Sequence, residues 1–280
     1  MNAIVERYDA FAQDYERYWG PVLEETSRRL LDEVSAYVAS AGAPLRILDV
    51  GSGTGALAIA AAARWPESEV VAADAAGAML DVARQRARAA GLAAGERLSF
   101  VLGAADDLPL ADGSADLVLS SFVFQLVPDR PAALSEALRL LRPAGRLAYV
   151  TWLDRESRVP FRPMEEFDEA VLELGVEEPE FDEEQLAGDV ASPRAAAGEL
   201  RRAGFRRVSA REDELIYDWT PEAYLEYKLD YDERALLSLL DEDQRQRMKE
   251  SARNRLARLA PDEFRWHAPV VFARGERPAR

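Results

Sequence analysis

The stretch Ile47-Leu48-Asp49-Val50-Gly51-Ser52-Gly53-Thr54-Gly55 is an apolar run that closes around an acid and opens into three glycines at alternate positions. Glycine adopts positive φ without strain and, lacking Cβ, lets a ligand approach the backbone, while the helix expected to follow offers unpaired N–H groups. The pattern therefore predicts a strand, a tight turn and a helix that together cradle a nucleotide-type ligand. Gly51, Gly53 and Ala56 also satisfy the G-x-G-x-x-G/A dinucleotide fingerprint, so the glycines alone leave the ligand open. Asp49 narrows the choice, because a carboxylate just before the turn repels a pyrophosphate and attracts an ammonium group. Asp74 ends the next apolar run, 19 residues after Gly55. From there a carboxylate can accept hydrogen bonds from both hydroxyls of a ribose, although capping the next helix is a competing role.

Outward from this turn, short apolar runs alternate with amphipathic segments. Strands are expected at Leu45–Val50, Glu69–Ala73, Leu98–Leu102, Leu117–Ser121 and Arg146–Trp152, with helices at Gly55–Arg64, Ala78–Ala90 and Pro131–Leu141. Strands joined by helix-length crossovers imply right-handed βαβ units and a parallel sheet covered on both faces, an α/β class. Residues 1–44 read as an N-terminal helical arm or lid, with Tyr8, Phe11, Tyr15 and Tyr18 at helical spacing. Beyond Trp152 the alternation breaks. Residues 153–204 read as an insertion, residues 45–152 being the ligand-binding core and 205–280 completing the sheet edge with inserted cap helices. Val208–Trp219 and Pro269–Arg274 are expected to add an antiparallel hairpin, with one or two helices between them.

The 280 residues are 48% hydrophobic and 31% charged, a globular mixture. With 35 Lys and Arg against 51 Asp and Glu the net charge is −16, which disfavours nucleic acid and anionic membranes as partners. Zero cysteines and one histidine, His267, exclude disulfides, thiol nucleophiles and poly-histidine metal centres, so no metal is expected. The charged N-terminus and the shortness of every apolar run point to a cytoplasmic protein without a membrane span.

In ordered combination these motifs resemble the class I S-adenosylmethionine-dependent methyltransferases, particularly the subgroup that contains quinone-biosynthesis C-methyltransferases and many small-molecule enzymes. The resemblance covers residues 40–152. It rests on the glycine turn, on Asp74 with Met79-Leu80, on Leu108–Leu117, on Val127-Pro128-Asp129 and on Leu140–Arg146. It implies a Rossmann-like seven-stranded sheet, mostly parallel with an antiparallel last strand, helices on both faces and a helical cap. It also implies S-adenosyl-L-methionine as cofactor. Asp49 with Gly51, Gly53 and Gly55 would hold the methionine end, Asp74 the ribose, and Ala75, Met79 and the Ala105 amide the adenine, with Ser120 beside the sulfonium. One position departs from the family pattern, which usually has Gly-Asp-Ala after the third strand where this chain has Gly103-Ala104-Ala105; either Asp106 substitutes or adenine binds more weakly.

Methyl transfer from a sulfonium needs in-line positioning more than a catalytic side chain, and positioning can supply roughly 7–11 kcal/mol. The lack of a visible triad therefore does not oppose this class, and the catalytic residues are unassigned. Contacts to a small-molecule acceptor are expected from Tyr15, Trp19, Phe124, Gln125, Trp152 and Tyr227, each of which could instead pack the core. His267 reads as a hydrogen-bonding cap residue. Residues 163–193 hold twelve acids and no Lys or Arg, which suggests a solvated face or an attraction for a cationic amine. The competing functions are a nicotinamide-dependent oxidoreductase and a non-catalytic relative that keeps the pocket as a binding module. A monomer and a homodimer are equally compatible with the sequence.

Overall fold

The structure is a computed structural model that describes residues 3–92, 97–154, 160–175 and 186–279. Five strands, β1 (Arg46–Val50), β2 (Glu69–Asp74), β3 (Leu98–Leu102), β4 (Ala115–Ser121) and β5 (Leu141–Trp152), run parallel. β6 (Arg206–Asp218) and β7 (Arg265–Glu276) complete a seven-stranded sheet in the order β3-β2-β1-β4-β5-β7-β6, with β7 antiparallel to β5. The strand order reverses between β1 and β4, so a crevice opens at their carboxyl ends.

The strands are continuous apolar runs because helices cover both faces. Leu48, Val50, Val118, Leu147 and Tyr149 pack with Ala133, Leu134 and Ala137 of α6 (Arg130–Leu140) and with Ala196 and Leu200 of α8 (Pro193–Arg202). The opposite face meets α3 (Gly20–Ser40), α4 (Ala56–Arg64) and α5 (Gly77–Ala89).

The arm is built of three helices, α1 (Ala3–Ala10), α2 (Ala12–Tyr18) and α3. Phe11 leaves helical geometry at φ −125°, ψ 24°, and Gly20-Pro21 begins α3, where proline loses no hydrogen bond in the first turn. β5 starts five residues earlier than its apolar run suggests, through an irregularity in its pairing with β4. At that irregularity Gly145 lies against backbone, so a Cβ there would meet the Arg142 carbonyl at 2.9 Å.

The chain divides into two compact units. The first comprises residues 1–157, 184–213 and 269–280, and the second comprises 158–183 and 214–268. In the second, α7 (Arg162–Leu172) packs on α11 (Glu242–Leu256), and α9 (Pro221–Tyr227) continues through a π-helical turn, Lys228–Asp232, into α10 (Arg234–Leu239). Its aromatic core stacks Trp219 on Tyr227 at 5.2 Å and Tyr227 on Tyr231 at 6.1 Å. Of the acidic stretch, residues 176–185 lie outside the described residues. Within the described part, Glu165 and Glu166 pair with Arg162, and Glu166 and Glu173 with Arg255 of α11. Partners distant in sequence, or just ahead of the stretch, thus pair with three of its acids, Glu165, Glu166 and Glu173.

Candidate functional site

Two adjoining cavities occupy the carboxyl ends of β1, β2 and β4, both lined entirely by the first unit. The larger, about 340 Å³, is bounded by the glycine turn, by Asp74, Ala75 and Met79, by Gly103–Asp106, and by the segment after β4. The smaller, about 40 Å³, lies over Asp49 and the glycine turn beneath α3. Gly51, Gly53, Tyr15 and Ser121 line both.

The turn takes its shape from three positive φ angles, +68° at Gly51, +52° at Gly53 and +84° at Gly55. Gly51 is also a steric requirement, since a Cβ there would sit 2.3 Å from a methyl of Val123. Ser52 donates its N–H to the Ala73 carbonyl at 2.9 Å, which fastens the turn to the end of β2.

Asp49 is 1% exposed, and neither carboxylate oxygen has a hydrogen-bond partner among the described residues. Burial first, and then the neighbouring Asp74, push its carboxyl up to about 8; the Ala58 amide eases this from outside hydrogen-bond geometry. A buried, unpaired acid costs free energy unless something cationic meets it. Ser52 Oγ in the same lining is likewise buried without a partner.

Asp74 is held in place by its own turn. Its Oδ2 accepts from the Gly53 amide at 2.7 Å and its Oδ1 from the Ala76 amide at 2.9 Å. Burial raises its pKa against the pull of these amides. Each oxygen keeps a second lone pair, and the residue lines the larger cavity, so turn-holding and ligand-binding coexist. Gly103, Ala104, Ala105 and Asp106 form one wall beyond it, with Asp106 exposed at the rim.

Ser120 stands elsewhere than expected. It is fully buried and donates to the Val50 carbonyl at 2.9 Å, whereas Ser121 lines both cavities. The cause is strand parity: Asp49 pairs with Leu119, so Leu119 and Ser121 share the Asp49 face and Ser120 does not. Phe124 is 1% exposed and packs edge-on against Tyr149 in the core, away from the cavities. Gln125 is buried, donating to the Phe122 carbonyl at 2.7 Å and accepting from Thr151 Oγ1 at 2.8 Å. That bridge fixes the segment after β4, where Phe122 sits at φ +56°, unusual for a bulky residue. Phe122 lines the larger cavity and lies 4.2 Å from Trp152, which in turn meets Trp19 at 6.3 Å. Tyr227 belongs to the aromatic core of the second unit, where its hydroxyl donates to Asp232. His267 faces Glu214 at 3.1 Å, also in the second unit.

Sequence reasoning missed Ile4 and Val5 of α1, Ser27 of α3, and Val123, Leu126, Val127 and Pro128 as lining. For Ser121 the signal existed in the alternation of β4, and for Ile4 and Val5 in their place beside Tyr8 on the half-buried side of α1.

Comparison with known proteins gives a consistent result. Residues 48–149 match the family model described as a methyltransferase domain. A malonyl-[acyl-carrier protein] O-methyltransferase of Geobacter sulfurreducens is 34% identical over 218 residues, 76% of this chain and 74% of that protein. The ubiquinone/menaquinone biosynthesis C-methyltransferase UbiE of Dinoroseobacter shibae is 47% identical over 102 residues, 36% of this chain and 40% of that protein. The chain spans about half the length of other curated relatives, such as 53% and 49% of two further malonyl-[acyl-carrier protein] O-methyltransferases. Among solved structures, the YcgJ protein of Bacillus subtilis superposes with a TM-score of 0.56 at 18% identity, covering 88% of this chain and 97% of that one.

Proposed function

Because the chain belongs to the class I S-adenosylmethionine-dependent methyltransferases, we propose that it binds S-adenosyl-L-methionine across the two cavities and methylates a small-molecule acceptor. The observation that carries this reading is the buried, partnerless Asp49 carboxylate beside a glycine turn. It suits an ammonium group and would oppose a diphosphate bridge, which disfavours a nicotinamide cofactor. When bound, the cofactor supplies a methyl group already activated on a sulfonium.

The remaining work falls to positioning. Asp49 and the Gly51–Gly53 backbone would orient the amino-acid end, Asp74 the ribose, and Ala75, Met79 and the Gly103–Asp106 wall the adenine. Asp106 replaces the acid that Ala104 lacks. Tyr15, Trp19, Phe122 and Trp152 would screen the reacting centre from water and hold the acceptor in line with the methyl group. The acceptor reacts through O, N or C and needs no general base from the chain if it arrives as a nucleophile. The net charge of −16 argues against a nucleic-acid acceptor. No helix among the described residues is long and apolar enough to cross a membrane.

Titration calorimetry with S-adenosylhomocysteine and with NAD tests the reading. Binding of the first alone is expected; binding of NAD alone would overturn it.

A further inference from the structure

The Arg86 guanidinium, on α5, reaches two elements at once. One of its nitrogens donates to Glu16 Oε2 of α2 at 2.8 Å, to the Thr54 carbonyl at 3.0 Å and to Thr54 Oγ1 at 3.3 Å. Thr54 lies within the glycine turn and is buried. Glu16 adjoins Tyr15, which lines both cavities. Space for the Glu16 carboxylate is made by Gly20, where a Cβ would come within 3.0 Å of Oε2. The same arm is tethered a second time, because Asp9 accepts the Ala78 amide at 2.7 Å near the start of α5. Between the tethers Ala12 is buried with Ala76, Met79 and Val82, and Val5, Tyr8 and Tyr15 pack partly against them. No residue of α1 is fully buried, while Ile4, Val5 and Tyr8 are half-buried. A terminal segment whose apolar residues are mostly half-buried opens more readily than the core, so discrete contacts bear on how firmly it is held.

We propose that Arg86 is a positioning residue that locks the N-terminal arm to the glycine turn through Glu16 and Thr54, keeping Tyr15 over the cavities and setting how long the cofactor stays bound. The proposal rests on the cofactor reading above for its ligand but not for its contacts. Arg86 touches the arm and the turn from the side of α5. Its effect on the ligand therefore runs through the arm and falls on the dissociation rate more than on the association rate.

The test uses the full chain with Arg86→Leu, Glu16→Gln, the double variant, and Asp81→Asn as a control that breaks an exposed ion pair with Arg84 on the same helix. Stopped-flow tryptophan fluorescence follows release of S-adenosylhomocysteine, and hydrogen exchange follows the amides of residues 3–18. Either single variant is expected to release the ligand about tenfold faster with arm amides exchanging faster, the double variant to match the singles, and Asp81→Asn to behave as wild type. Matching singles and double is the signature of one shared contact. Wild-type release rates in Arg86→Leu, or an unchanged arm with additive effects, would overturn the proposal. Should the wild-type chain bind no S-adenosylhomocysteine, the cofactor reading fails instead, and arm exchange in the ligand-free variants still decides the tether.

Discussion

At Asp49 the chain stores a carboxyl group in a place that disfavours its charge, which makes its ionisation a reporter of binding. Its pKa is raised to about 8 by burial and by Asp74, so the ligand-free protein holds it protonated at neutral pH. An ammonium ligand selects the carboxylate, so binding must release a proton. Affinity for S-adenosylhomocysteine should rise between pH 6 and 8 and level off above, with proton release visible by calorimetry in buffers of different ionisation enthalpy. The folded-state value exceeds the unfolded one. The stability this group contributes is therefore complete at low pH and lost as pH rises toward 8. Asp49→Asn should thus gain in melting temperature relative to wild type as pH increases, without ligand, while losing roughly tenfold to a hundredfold in affinity with the charge-assisted contact. Asp74→Ala behaves differently. It strips acceptors from the Gly53 and Ala76 amides, at about 1–3 kcal/mol for each donor left unpaired, so thermal stability and affinity should fall together.

The glycine turn shows how one element divides its constraints. Gly51→Ala meets both a positive φ and Val123, while Gly53→Ala meets only the φ, with no atom within 4 Å of the new Cβ. Gly53→Ala is expected to cost about 1–2 kcal/mol of stability. Gly51→Ala should cost more and abolish ligand binding, with Val123→Ala in the same chain recovering part of the loss; differential scanning calorimetry and ligand titration check both. Much at this scale was legible in the sequence. The apolar runs announced all five parallel strands, and the glycines with Asp49 and Asp74 marked the crevice, because buried strands and tight turns restrict composition strongly. Side-chain direction was less legible: choosing Ser120 over Ser121 is a one-residue error that reverses the face. The arm was legible as helix and as the source of Tyr15 at the cavity, while Ile4 and Val5 were overlooked although they share a face with Tyr8. Phe124 and Gln125 read as ligand contacts because aromatic and amide residues serve both purposes, and only packing assigns them to the core.

For the molecule as a whole, ligand linkage is the accessible quantity. At a hundred times Kd a ligand specific for the native state adds about 2.7 kcal/mol. The melting-temperature gain from S-adenosylhomocysteine at fixed concentration should therefore be a few degrees, and larger at pH 8 than at pH 6 because Asp49 ionises; an equal gain at both would separate Asp49 from the site. A different consequence follows from the strand order. β6 has β7 as its sole neighbour in the sheet, yet 46 residues, from Trp219 to Phe264, are synthesised between them. Until those residues and β7 have been made, the thirteen residues of β6 have no strand of the described sheet to pair with. Closing the sheet therefore needs β7 to join β5 to β6 across a long stretch of chain, a non-local closure of the kind that forms slowly.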